Sequence, residues 1–230
     1  MKLDEVVDVD AETPRDVPAE RLLLLRDGRH VVLRAARLSD AHLMLSALNE
    51  VASEGRFLLR RAWEITDDLE QRWIRTALAD QDLVVVAMLL ENAETRAEID
   101  VAGSLSLVRG RPEFIRHTAD LGMWLRAAFR EQGLGSAMLE YVLNWAAAQG
   151  DIEKINLSAR STNRRALNLY RKYGFREEGR RRRHIKTEQG YEDEVLLGCF
   201  VHGPFTPEAS AADPMAESDE PDGNVANDAS

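Results

Sequence analysis

A chain of 230 residues with 44% hydrophobic and 30% charged side chains is long enough for one well-buried domain and short for two. Its longest apolar run, Leu83 to Leu90, is too short to cross a bilayer, and its single cysteine, Cys199, excludes an internal disulfide and fits a reducing cytoplasm. The formal charge of −10 sits at the ends: residues 1–20 hold seven acidic and two basic side chains, residues 203–230 seven acidic and none basic, which leaves the body at about +2 and makes no case for nucleic acid.

Both acidic ends are expected to be disordered, with a folded body over 21–202, and no secretory signal is visible in Met1 to Glu5. Leu22 to Arg26 and His30 to Arg34 flank an Asp27-Gly28 turn and read as a hairpin. Ser39 is placed to cap a helix through Leu43, Leu45 and Leu48. Thr66 to Glu70 opens a second helix, with Trp73, Ile74 and Leu78 on one face. Leu83–Glu91, Ile99–Val108 and Phe114–Leu125 read as strands.

Between Leu125 and the next helix stands Arg130-Glu131-Gln132-Gly133-Leu134-Gly135. The helix places Leu134, Met138, Tyr141, Val142, Trp145 and Ala148 at intervals of three and four, a core-facing stripe. A strand, a turn with two glycines and a helix start can hold a phosphate, because first-turn amides lack internal partners and the helix dipole adds positive character there. Two glycines before a helix are also an ordinary turn, so this motif is weak alone. Ile152–Leu157 follows as a strand, and Asn163 can cap the helix that carries Tyr170. Phe175–Arg182 and Val195–Phe200 complete about seven strands, with Cys199 expected as a buried strand thiol. In Arg180 to Arg183 successive side chains alternate faces, so a four-arginine patch is not expected. The order of elements implies an α/β fold with a mixed, mostly antiparallel sheet and helices on both faces.

Arg130-x-x-Gly133-x-Gly135, followed by Asn163-x-x-Ala166-x-x-Leu169-Tyr170-x-x-x-Gly174-Phe175, resembles the GCN5-related N-acetyltransferase (GNAT) family over roughly residues 28–200. The last part of the chain looks most like its ribosomal-protein N-terminal and amino-acid or antibiotic branches. The resemblance implies the acyl-CoA N-acyltransferase fold, acetyl-CoA as cosubstrate, no metal, and a primary amine as acceptor. It implies that the pantetheine arm lies beside Met123, Trp124 and Leu125, where a strand bulge parts two strands. The diphosphate would rest on the amides of Gln132, Gly133, Leu134, Gly135 and Ser136, with Arg130 adding charge. Asn163 would contact the arm while capping its helix. Tyr170, seven residues on and on the same helix side, would be the general acid. Asp120 stands where many relatives place an acidic residue facing the amine; it is shorter than the frequent glutamate, so contact through water stays open. Glu64 and His117 are weaker candidates for the base. The acceptor lip is expected in residues 50–75, with Glu54, Arg56, Arg60, Arg61, Trp63 and Glu64. A catalytically silent acyl-CoA sensor is the alternative reading. Neither membrane nor nucleic acid is expected as a partner, and whether the chain works alone or as a homodimer stays open in the sequence.

Overall fold

The computed structural model describes residues 17–58, 66–79 and 82–201. Eight strands form one sheet: β1 (Arg21–Leu24), β2 (His30–Ala35), β3 (Leu83–Leu90), β4 (Glu98–Arg109), β5 (Thr118–Leu125), β6 (Lys154–Arg160), β7 (Arg176–Thr187) and β8 (Gly190–Phe200). Their spatial order is β1-β2-β3-β4-β5-β6-β8-β7, and every neighbouring pair is antiparallel except β5–β6. Among the described residues four α-helices, α1 (Ala41–Ser53), α2 (Asp67–Ala79), α3 (Leu134–Gln149) and α4 (Arg164–Lys172), cover the two faces. This is the α/β architecture expected from the order of elements.

β3 shows why the sheet is sandwiched. Its residues are apolar without interruption, and alternate side chains enter different cores. Leu83, Val85 and Ala87 pack with α3 and α4, while Val84, Val86 and Met88 pack with α1 and α2. Helix α3 is buried on more than one stripe, since Leu139, Leu143 and Ala146 are enclosed along with Leu134, Met138 and Val142. Each leucine, valine or methionine among them contributes about 1.5–3 kcal/mol when fully buried. Trp145 and Ala148, expected on the inner stripe, lie nearer the surface.

Helix α1 differs from expectation. Asp40, not Ser39, stands at its start; the Asp40 carboxylate accepts from the Arg37 amide at 2.7 Å and pairs with buried Arg34 at 2.7 and 2.9 Å. Arg34 is 2% exposed and also grips Glu98, which ties β2, β4 and α1 together. That anchor turns Ala41, Met44, Ala47 and Val51 inward, leaving Leu43, Leu45 and Leu48 only half-buried. Small alanines let the helix lie close to the sheet, which outweighs the leucine pattern.

The strand expected from Phe114 begins at Thr118. Pro112 leads into a short 3₁₀ turn, Glu113–Ile115, and Gly110 lies so near the Ile115 carbonyl that no side chain fits there. The eight strands match the eight segments read as strands from the sequence, and β7 and β8 form a longer hairpin than their apolar ends suggested. Its arginines are partnered separately: Arg180 with Glu177 and Asp193, Arg181 with Glu194, and Arg183 over the Tyr191 ring at 4.5 Å. Cys199 is buried, and burial pushes its thiol up to about 11. Of the N-terminal acidic segment, Pro18 accepts from the Tyr141 hydroxyl and Glu20 meets Arg37 and Arg96. Disordered tails were expected over 1–20 and 203–230; residues 17–20 are described, whereas 1–16 and 202–230 lie outside the described residues. Among the described residues no helix is long and apolar enough to cross a membrane.

Candidate active site

β5 and β6 pair over three residues only: Thr118 with Lys154, Ala119 with Ile155 and Asp120 with Asn156. Beyond Asp120, β5 stays with β4 as far as Leu125 opposite Gly103, while β6 stays with β8 as far as Arg160 opposite Glu194. The two strands therefore part into a cleft whose facing backbone edges have no ladder partner in one another. Unpaired amides and carbonyls in such a cleft suit an extended ligand that supplies the missing bonds. The expected bulge in β5 is absent, since its register against β4 is unbroken; the irregularities fall in β4 against β3, at Ala102 between the partners of Ala87 and Met88 and at Ile99 between those of Leu89 and Leu90. The parting comes from β6 following β8.

The glycine turn closes one end of this cleft. Glu131 and Gly133 both take left-handed backbone angles, φ 64° and 89°. For Gly133 this costs little, whereas a side chain would be strained there. Helix α3 has no side-chain cap, and its first backbone bond from the Ala137 amide reaches the Gly133 carbonyl at 3.1 Å. The amides of Leu134, Gly135 and Ser136 thus lack helical acceptors and carry the positive end of a 16-residue helix. Gly135 serves packing instead, since a Cβ there would lie 3.2 Å from Leu169 and 3.4 Å from Leu125. Its bareness lets α3 approach β5 and α4.

Arg26 braces the turn from behind. Its amide donates to the Gln132 carbonyl at 3.4 Å and its guanidinium to the Glu131 carbonyl at 3.3 Å. Arg29 adds a bond to the Ala128 carbonyl at 2.5 Å and lies over the Phe129 ring at 4.1 Å. Sequence reasoning passed over both arginines, because they sit about a hundred residues earlier in a hairpin turn. Arg130 is placed otherwise than expected. Its guanidinium bonds the Glu54 carboxylate at 2.7 and 2.5 Å, bonds the Leu125 carbonyl at 2.8 and 3.0 Å, and stacks on Phe57. Its charge is matched by Glu54 and is not left free beside the turn.

Met123 and Leu125 face α3 and α4, while Trp124 packs toward α1. Tyr170 is 6% exposed, with its ring edge-on to Phe175 at 5.8 Å. Burial pushes its hydroxyl up to about 12, so the proton stays on oxygen at neutral pH. Among the described residues that hydroxyl has no hydrogen-bond partner. Asn163 caps α4, its side chain accepting from the Ala166 amide at 3.3 Å.

Asp120, the last β5 residue paired with β6, is exposed on the α1/α2 side of the sheet. It has no ion pair among the described residues. His117 is exposed at the opposite end of β5, away from the glycine turn. Arg60, Arg61, Trp63 and Glu64 lie outside the described residues.

A polar row on the far lip of the cleft went unrecognised in the sequence. Asn156, Ser158 and Arg160 alternate with the core residues Ile155 and Leu157 and share the face of Asp120. Ser158 donates to Glu194 at 2.6 Å. Arg160 holds Glu192 through two bonds of 2.9 Å and donates to the Gly55 carbonyl at 2.9 Å. The Arg160 bond, with Thr162 adding a second at 2.6 Å, keeps Glu192 below its usual range. The strict alternation in Lys154-Ile155-Asn156-Leu157-Ser158-Ala159-Arg160 was the available signal.

Residues 30–176 match the acetyltransferase (GNAT) domain. The chain is 33% identical over 73 residues to a ribosomal protein bS18-alanine N-acetyltransferase of Salmonella typhimurium, covering 32% of this chain and 49% of that one. It is 28% identical over 99 residues to an L-amino acid N-acetyltransferase of Escherichia coli K12, covering 43% and 60%. The chain thus spans about half the length of the curated ribosomal-protein relatives it matches. Among solved structures, an acetyltransferase-like protein from Salmonella typhimurium, determined with its cofactor acetyl-CoA, superposes with a TM-score of 0.65 at 16% identity, covering 78% of this chain and 98% of that one.

Proposed function

This chain belongs to the GNAT acetyltransferase family, and from that premise we propose that it moves an acetyl group from acetyl-CoA to a primary amine by direct attack within a ternary complex. The observation that carries the reading is the β5–β6 cleft ending at the uncapped start of α3. A cleft with unpaired backbone suits an amide-rich pantetheine arm, and the free amides suit a diphosphate. Met123, Trp124 and Leu125 line the arm, and Asn163 meets it from the start of α4. The diphosphate rests on the amides of Gln132, Gly133, Leu134, Gly135 and Ser136. Arg26, not Arg130, lends positive charge next to them.

The chemistry follows from these placements. The acceptor enters from the α1/α2 side, where Asp120 is exposed. Asp120 draws the ammonium in and takes its proton, which frees the nitrogen lone pair. The nitrogen forms a bond to the thioester carbon while a β5 backbone amide donates to the carbonyl oxygen. The carbon–sulfur bond then breaks as Tyr170 gives its proton to the departing sulfur, and the second proton leaving the nitrogen passes through water to restore Tyr170. Burial keeps that hydroxyl protonated at neutral pH, so the proton is present to be given.

The named relatives act on the α-amine of a ribosomal protein's alanine and on L-amino acids. Their chemistry supports an α-amine as acceptor, free or at a protein N-terminus, with residues 50–75 as the lip that selects it. Calorimetric titration with acetyl-CoA tests the reading, using Gly133→Glu as control. Micromolar binding that the substitution removes supports it. Absence of binding by the unmodified chain would leave the glycines as a plain turn and sink the proposal.

A further inference from the structure

Glu194 is an unusual carboxylate for a strand near a sheet edge, because it is 4% exposed yet connects directly to an exposed hydroxyl. Ser158 is that hydroxyl, donating to Glu194 Oε1 at 2.6 Å. Ser158 lies two residues past Asn156, the last β6 residue paired with β5, and on the same face as Asp120. It therefore stands on the lip of the cleft opposite Gly122. The other oxygen of Glu194 meets Arg181 Nη1 at 2.9 Å and His184 Nε2 at 3.5 Å, both from β7. On β6 its register partner Arg160 is occupied by Glu192, so it does not compete for Glu194.

Resting on the acetyltransferase reading above, we infer that Ser158 and Glu194 form a second proton acceptor for the incoming amine, across the cleft from Asp120. Ser158 touches the ammonium; Glu194 acts through it and is a positioning residue. As the Ser158 oxygen accepts the ammonium proton, its own proton passes to Glu194 Oε1. The nitrogen keeps its electron pair, Ser158 stays a neutral hydroxyl, and Glu194 becomes a neutral acid. Once the product leaves, the proton returns from Oε1 through the exposed Ser158 hydroxyl to water.

The surroundings keep Glu194 ionised. Burial alone would push it up, but the Ser158 hydroxyl and the Arg181 guanidinium outweigh burial and hold it below its usual range. Its affinity for a proton is lowered by the same contacts, so it takes the proton only in passing. Asp120 is exposed and hydrogen-bonded to no described side chain, so water competes for it. The bond to a buried, charge-matched carboxylate holds the exposed Ser158 hydroxyl in one orientation, with its proton on the Glu194 side.

The test is kcat/KM against pH, with acetyl-CoA and a peptide beginning with alanine, for the unmodified chain and for Ser158→Ala, Ser158→Thr and Glu194→Gln. Ser158→Ala and Glu194→Gln should lose about tenfold to a hundredfold at neutral pH, and the deficit should close at alkaline pH, where the amine is already neutral. Ser158→Thr should retain activity. A merely structural role would lower the rate by one factor at every pH, and that result overturns the inference. Independently of turnover, the ¹³C carboxyl signal of Glu194 should titrate at higher pH in Ser158→Ala; an unmoved titration overturns it as well. Unmodified chain that releases no CoA sinks the acetyltransferase reading and this inference together. Turnover with a pH-independent deficit sinks the inference alone.

Discussion

Arg130 and Arg160 hold consecutive residues of one segment: Arg130 grips the Glu54 carboxylate and Arg160 the Gly55 carbonyl. Arg130 follows β5 and Arg160 ends β6, so the segment after α1 spans the mouth of the cleft where those strands stand apart. The proposed acceptor side is thereby fastened to both strands that flank the proposed cosubstrate channel.

Cutting this fastening should loosen acceptor binding more than cosubstrate binding. Glu54→Gln removes a charge-assisted pair that is largely but not fully buried, at a cost of about 1–3 kcal/mol in stability. Steady-state kinetics should show a higher acceptor KM with acetyl-CoA affinity nearly unchanged. An unaltered acceptor KM would mean the segment does not shape the acceptor site.

Tyr170→Phe should lower kcat by about ten- to a hundredfold and leave acetyl-CoA affinity intact, because only the proton donor is lost. The raised hydroxyl also makes a pH prediction. Folded-state proton affinity exceeds the unfolded value, so the associated stability is present below about pH 10 and lost as pH rises toward 12. Denaturant melts between these values should show a shallower decline for Tyr170→Phe.

Asp120→Asn should reduce kcat and reshape the acidic limb of the pH–rate profile, since the carboxylate no longer attracts or deprotonates the ammonium. A profile that keeps its shape would remove Asp120 from the mechanism.

The two glycines should respond differently to alanine. Gly133→Ala forces a side chain into a left-handed conformation and should cost about 1–2 kcal/mol, with weaker acetyl-CoA binding. Gly135→Ala meets only the flexible ends of Leu169 and Leu125, so those side chains can shift and the stability change should stay below about 1 kcal/mol. Thermal melts and calorimetry on the pair distinguish the roles.

Arg26→Gln keeps the backbone bond to Gln132 but loses the guanidinium on Glu131. Affinity for acetyl-CoA should fall by about three- to tenfold, and the loss should shrink at high salt if charge is the cause. No change in affinity would reduce Arg26 to a brace.

The sheet and its helices were legible because local signals agreed with the tertiary outcome. Apolar runs marked the buried strands, and Gly133, Asn163 and the α3 stripe marked the helix starts. What stayed hidden depends on partners distant in sequence. The inward face of α1 was set by Arg34 and Glu98, which no helical period reports. Arg130 is drawn to Glu54, 76 residues earlier. Ser158 and Glu194 belong to strands joined only by the fold, 36 residues apart. Polar alternation on β6 announced an exposed face but not what that face would meet.

Three residue pairs join β5 to β6, and past them the sheet is held open like an arch awaiting its keystone. An extended ligand in that gap would supply backbone bonds that the chain itself leaves unmade. Holding the cosubstrate and finishing the sheet then become one event, so occupancy should be felt as rigidity: amides on both lips should exchange slowly only when the gap is filled, and the melting temperature should climb with ligand concentration.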